Sequence, residues 1–333
     1  MGDLFDRFGR KINYLRLSVT ERCNLNCFYC RSGPLPCYDQ QKKELQKDDF
    51  LQIIRTAAGM GITRVRFTGG EPLLYPQIVA LVEETARMKA IKDLSMTTNG
   101  ILLPKFAYTL AEAGLKRINI SIDSLQASRF KRITRGGILD SVLMGIETAL
   151  DAGFTPVKLN IVLLKNINEG EIIDFVKMTQ EQNLHVRFIE YMPIGSELVS
   201  WKKYFVPLQK VIEVCKELGK LIPTTGEHGG PARYFRLEDS VGKVGLITPL
   251  SRHFCDSCNR LRVTSDGKIK PCLLSATEVD ASAVLREKNP LPLLKQKFRE
   301  AINLKPDPSR VANNAVERAK QLDGYRKMNE IGG

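Results

Sequence analysis

From residue 14 to residue 191, short apolar, β-branched runs alternate with longer amphipathic ones, and this alternation limits the folds open to the chain. Strand-like runs fall at residues 15–19, 64–67, 94–97, 117–122, 157–162 and 186–191, with helical periodicity between them at 49–58, 77–89, 105–113, 140–152 and 171–182. Strands joined through helices lie parallel, with right-handed crossovers. Six are too few for an eight-stranded barrel. The expected fold class is therefore α/β, a partial (β/α)6 TIM-type barrel over residues 1–192. A C-terminal extension over 193–303 and a tail over 304–333 follow it.

The first strand runs into Glu-Arg-Cys-Asn-Leu-Asn-Cys-Phe-Tyr-Cys, which sets Cys23, Cys27 and Cys30 just past its end. Thiolates at this spacing wrap one soft metal centre, and three of them on a four-iron cluster leave one iron without a protein ligand. A structural zinc site needs a fourth Cys or His, for which Cys37 is the candidate within reach. The other strands also run into polar residues: Thr68-Gly69-Gly70-Glu71-Pro72, Thr97-Thr98-Asn99-Gly100, Ser121-Ile122-Asp123 and Glu190-Tyr191-Met192. Parallel barrels build their sites at the C-terminal ends of strands, so this recurrence marks one rim as functional. Paired glycines such as Gly69-Gly70 let a ligand approach the backbone.

Beyond residue 192 the alternation fades. A helical stretch at 208–218 and a Pro/Gly-rich passage precede strand-like runs at 232–237 and 243–248. Then comes Cys255-Asp-Ser-Cys258-Asn-Arg260-Leu261-Arg262, with Cys272 after thirteen further residues and an Asp266-Gly267 turn between. A hairpin there gathers three thiolates. His253 offers a fourth ligand, so Cys₃His zinc and a second iron–sulfur site both fit the residues. Arg16, Arg66 and Lys158 fall on strands one, two and five at positions that face the barrel interior. Cations buried together are costly without an anion, which points to a polyanionic ligand, with Glu71, Asp123 or Glu190 as alternative partners.

Lys+Arg 50 against Asp+Glu 37 gives a net charge of +13, which favours anionic ligands such as nucleotides or nucleic acid. Only 7% of residues are aromatic and the arginines of interest lie on barrel strands, which argues against a nucleic-acid-binding module. No apolar run reaches membrane-spanning length, and the N-terminus lacks a signal-peptide core. Eight cysteines, six of them in two trios, read as metal ligands in a reducing compartment. The expectation is a cytoplasmic protein with no membrane or nucleic-acid partner.

The first cysteine run, Tyr29 before its last thiolate, and the preceding strand resemble the radical S-adenosylmethionine (SAM) superfamily. Cys-x-x-Cys-Asn-Arg-Leu-Arg, Cys272 and the terminal Gly332-Gly333 resemble, within it, the GTP 3′,8-cyclase family of molybdenum cofactor biosynthesis, over nearly the whole chain. The resemblance implies a lyase that converts GTP to 3′,8-cyclo-7,8-dihydro-GTP with SAM and two [4Fe–4S] clusters. Cys23, Cys27 and Cys30 would hold the first cluster, and Cys255, Cys258 and Cys272, in the C-terminal extension, the second. Tyr29, Gly70, Ser121 and Met192 are implied at SAM; Arg16, Arg66, Thr97, Lys158, Arg260, Leu261 and Arg262 at GTP; and Gly332 and Gly333 in the active site. Implied partners are an external one-electron reductant and a downstream cyclic pyranopterin monophosphate synthase, and such enzymes often form homodimers. The rival reading is a two-cluster radical SAM enzyme acting on a peptide, which usually carries more C-terminal cysteines. Cys37 and Cys215 are expected to be ordinary thiols, and Arg64 stands where the family often has Lys.

Overall fold

The computed structural model describes residues 3–30, 44–194, 198–226, 230–311, 315–320 and 326–332. Its strands β1 (Tyr14–Ser18), β2 (Arg64–Thr68), β3 (Asp93–Thr98), β4 (Arg117–Ser121), β5 (Val157–Leu163) and β6 (Leu184–Glu190) pair in chain order, each parallel to the one before. The intervening helices are α1 (Lys47–Gly59), α2 (Ile78–Ala86), α3 (Leu103–Glu112), α4 (Ala127–Thr134), α5 (Leu139–Asp151) and α6 (Ile172–Glu181). Period-two alternation divides each strand between two environments. Leu15, Leu17, Val65, Phe67, Ile118 and Ile120 are fully buried in the main hydrophobic core, while the residues between them face the barrel interior. Helix α4 went unread in the sequence because it buries only Phe130, Ile133 and Thr134.

The C-terminal region adds to both sides of this sheet. After α7 (Leu198–Tyr204) and α8 (Gln209–Leu218) come β7 (Leu221–Thr224), β8 (Ala232–Leu237), β9 (Lys243–Ile247), β10 (Arg260–Val263), β11 (Lys268–Lys270) and β12 (Val279–Asp280). β9 lies parallel to β6, with β8 and β7 antiparallel beyond it. β10 lies parallel to β1, with β11 and β12 antiparallel on the other side. Eight strands are thus parallel, two more than the sequence reading gave the barrel, yet β9 and β10 do not pair and the sheet stays open. Pro223 is tolerated in β7 because that strand is an edge, paired only with β8. Three helices complete the chain: α9 (Pro290–Asn303), α10 (Ala315–Lys320) and α11 (Met328–Ile331). None of the described helices is long and apolar enough to cross a membrane.

Candidate active site

Cys23, Cys27 and Cys30 line a cavity of about 200 Å³ at the C-terminal rim of the sheet. Tyr29, Gly70, Ser121 and Met192 line it with them. Among the described residues neither a fourth cysteine nor a histidine joins the trio there, so the donor set fits a four-iron cluster with one open iron. The wall beside the trio is fixed by Glu71, fully buried, which accepts from Thr98 Oγ1 at 2.7 Å and from the backbone amides of Asn99 and Leu73 at 2.7 and 3.1 Å. Burial pushes its carboxyl up to about 7 against the pull of these donors. Asn99 in turn donates toward Cys23 Sγ at 3.8 Å. Asp123 accepts from the Tyr29 hydroxyl at 2.5 Å and from the Val162 amide at 2.8 Å, which pins the aromatic ring next to Cys30.

The two glycines also do something beyond the ligand approach expected of them. Both line the cavity, but a Cβ on Gly70 would sit 2.2 Å from Arg22 O, and one on Gly69 2.3 Å from Thr20 O. The closest approach is therefore that of the cysteine loop's own backbone, held by Gly70 N to Thr20 O at 2.8 Å and Glu71 N to Arg22 O at 2.7 Å. Thr97, expected at the nucleotide, also faces this first cavity. It lies two residues closer to the rim than Ser95, the inward position on β3 that Arg66 bonds at 3.1 Å.

A second cavity of about 140 Å³ adjoins the first, sharing Asn160, Ile189, Met192 and Met328 with it. Arg16, Arg66, Lys158, Arg260 and Arg262 line it as the sequence suggested. Strand register stacks their charges: Arg262, Arg16 and Arg66 face one another across β10, β1 and β2. The sequence reading passed over Arg117 and Arg187, which occupy inward positions on β4 and β6, and over Tyr14 on β1. Arg64 joins them, two positions before Arg66. Against these eight cations the lining holds one carboxylate, Asp93, which is bound to Arg117 through both guanidinium arms. Burial, and then the charge of Arg262, hold Arg16 well below the usual guanidinium range, and burial with Arg260 brings Arg262 down to about 10. Burial alone raises the Tyr14 hydroxyl, but Arg66, Arg16 and Arg117 outweigh it and lower it. Such a chamber is built for a polyanion. Leu261, expected among the substrate contacts, has its side chain between those of Arg260 and Arg262 on the opposite face, fully buried in the core, which leaves its backbone for such a contact.

Cys255, Cys258 and Cys272 meet at a third cavity of about 70 Å³, which shares Phe254, Arg260, Arg262 and Leu273 with the cationic chamber. His253 lines it too. The donor set fits a four-iron cluster with one open iron, with His253 the alternative fourth ligand for zinc. Because β1 and β10 are parallel and β11 runs antiparallel to β10, the trio of Cys255 and Cys258 before β10 and Cys272 after β11 lies at the opposite end of the strands from the trio following β1. Five residues of strand set that separation at ~17 Å at ~3.3 Å per residue, with the cationic rows between.

The C-terminal tail enters this space. Met328 lines both chambers and Asn329 the first. Arg262 donates to the carbonyl of Gly332 at 2.5 Å. Gly332 has φ +71°, and a Cβ there would lie 2.3 Å from Thr68 Cγ2, so the position demands glycine. Gly333 and Cys37 lie outside the described residues. Cys215 is buried in the core, which pushes its thiol up to about 11.

Residues 17–179 match the Radical SAM superfamily and residues 184–311 match Molybdenum Cofactor Synthesis C. The GTP 3′,8-cyclase of Listeria monocytogenes is 44% identical over 333 residues, covering 99% of both chains. That of Alkaliphilus metalliredigens is 45% identical over 329 residues, covering 98% of this chain and 99% of the relative. Among solved structures, SuiB of Streptococcus suis bound to S-adenosylmethionine matches with a TM-score of 0.58 at 16% identity, over 92% of this chain and 70% of that one; this likeness extends to the fold alone. The two cysteine trios, the cationic strands between them and identity at this level along the entire chain agree, and the chain belongs to the GTP 3′,8-cyclase family of radical SAM enzymes.

Proposed function

We propose that this chain performs its family's reaction, the conversion of GTP to 3′,8-cyclo-7,8-dihydro-GTP that opens molybdenum cofactor biosynthesis, with its residues in the following roles. Cys23, Cys27 and Cys30 hold one [4Fe–4S] cluster, and Cys255, Cys258 and Cys272 the other. When bound, the first cluster and SAM would supply the radical chemistry needed to activate C3′ of GTP for bonding to C8. Tyr29, Gly70, Ser121 and Met192 shape the SAM chamber, and Thr97 belongs with them. Arg16, Arg66 and Lys158 grip the triphosphate, joined by Arg64, Arg117 and Arg187. Arg260 and Arg262 bring the nucleotide against the second trio. The protein's contribution is alignment: it fixes donor and acceptor along one run of adjoining cavities.

The observation that carries this reading is the run of three adjoining cavities, from the first trio through eight cations to the second trio. An external one-electron reductant starts the cycle, and the product passes to a cyclic pyranopterin monophosphate synthase. The oxygen-sensitive clusters suit a cytoplasmic setting, and the family's homodimer is expected. The test is anaerobic incubation of reconstituted protein with SAM, dithionite and GTP, scoring 5′-deoxyadenosine and the cyclised nucleotide. Formation of 5′-deoxyadenosine independent of GTP, or zinc in place of iron at the second trio, would defeat the assignment.

A further inference from the structure

Lys305, just beyond α9, is 2% exposed. Its ammonium donates to the carbonyl of Arg260 at 2.8 Å and to that of Pro271 at 2.9 Å. Those carbonyls belong to the two segments that carry the second trio, Arg260 two residues after Cys258 and Pro271 directly before Cys272. Lys305 also lines a cavity with Cys255, Cys258 and Cys272, on the side away from the strand face that carries Arg16 and Arg66. Among the described residues it forms no ion pair. Its neighbour Arg10 is also buried and grips the carbonyls of Cys255 and Pro306 at 3.0 and 2.8 Å, but Asp6 neutralises it at 2.5 Å. Burial lowers the pKa of Lys305, so an ammonium so placed is costly unless something negative sits beside it. Cys255, Cys258 and Cys272, which line the same cavity, are where that negative group would sit.

We propose that Lys305 is the fixed counter-charge of the second cluster, a positioning residue that raises that cluster's reduction potential while tying its two cysteine-bearing segments together. The inference rests on Cys255, Cys258 and Cys272 being the cluster's ligands. Three thiolates on an oxidised four-iron core leave one net negative charge, and reduction adds another, so a fixed cation favours the reduced form. Arg260 and Arg262 also lie close, and Arg260 bonds Cys258 through its side chain, but both line the nucleotide chamber as well. Lys305 lines the cavity on the other side of the trio and is not part of that chamber's lining.

The experiment uses the full chain with Cys23, Cys27 and Cys30 replaced by Ala, so that only the second cluster remains, and follows its midpoint potential by EPR-monitored dithionite titration. If this parent binds no iron, the ligand assignment itself has failed, before any change at Lys305. With a cluster present, Lys305→Gln, which keeps amide donors for both carbonyls but removes the charge, is expected to shift the potential to more negative values. Lys305→Arg is expected to restore it. A Lys305→Gln potential equal to or above the parent's overturns the proposal. Should Lys305→Gln lose its cluster, retention by Lys305→Arg supports the charge requirement, and loss from both variants shows that only the shape of lysine matters and overturns it.

Discussion

Gly70→Ala tests what the glycine pair is for. The new methyl would stand 2.2 Å from Arg22 O, 2.6 Å from Glu21 O and 2.7 Å from the Arg22 carbonyl carbon, all backbone atoms. Ordinary contacts need ~3.5 Å, so the cysteine loop must retreat by about 1 Å. That retreat breaks the bonds from Gly70 N to Thr20 O and from Glu71 N to Arg22 O. Two lost bonds with buried groups left unpaired cost roughly 2–5 kcal/mol. This is below the ~5–15 kcal/mol that holds a typical domain together, so the fold survives while the loop detaches. The assay is iron and labile sulfide per chain after anaerobic reconstitution. The control is Gly59→Ala at the end of α1, where a Cβ meets nothing within 4 Å. The control should bind a full complement of iron. Gly70→Ala should bind about half and keep only the EPR signal of the second cluster. Full iron with undiminished SAM cleavage in Gly70→Ala would refute the reasoning.

Three further outcomes are expected. Gly332→Ala meets both a φ of +71° and Thr68 Cγ2 at 2.3 Å; strain of ~1–3 kcal/mol should undock the tail, raising amide exchange at 328–332 and lowering cyclisation at least tenfold with both clusters intact. Arg16→Met removes the middle charge of the Arg262, Arg16, Arg66 row; the substrate-free protein should gain about 1 kcal/mol by thermal denaturation while GTP affinity drops a hundredfold or more by calorimetry. Asp123 is raised by burial from 3.8 to about 6, so the stability tied to its protonated form is complete below pH ~4 and is lost as pH rises through ~6. Asp123→Asn can still accept from Val162 N and donate to the Tyr29 oxygen, so its thermal midpoint should fall less than the parent's between pH 5 and 8; equal slopes would exclude Asp123 as the source.

The six central strands were legible because each is a short β-branched or apolar run in which polar and apolar residues alternate over most of its length, a pattern that survives without tertiary context. Strands β9 and β10 were legible as short strands, but not as members of the parallel set. Their partners β6 and β1 are distant in sequence, and neither follows its partner through a helix. The missed arginines carried a usable signal, since Arg117 and Arg187 sit at inward positions of strands already identified. Period two puts Leu261, the middle member of Arg260-Leu261-Arg262, on the other face, so only its backbone is placed for the contact expected of it. Lys305 had no local signal at all: it acts on the carbonyl of Arg260, 45 residues away, from a turn after a helix.

The spacing of the two trios and the alignment of the cations have a single origin. β1 and β10 pair in register from Tyr14 with Arg260 to Leu17 with Val263. That register sets Arg262 beside Arg16, and the same strand length sets how far Cys23 lies from Cys258. A one-residue insertion in β10 would exchange the faces of Leu261 and Arg262, burying a guanidinium in the core and breaking the row of three. A two-residue insertion would restore the faces but lengthen the span between the trios by ~7 Å. The chamber therefore cannot be stretched without also scrambling or diluting its charges, and a substrate that touches both ends is selected by length and by charge through the same hydrogen-bond ladder.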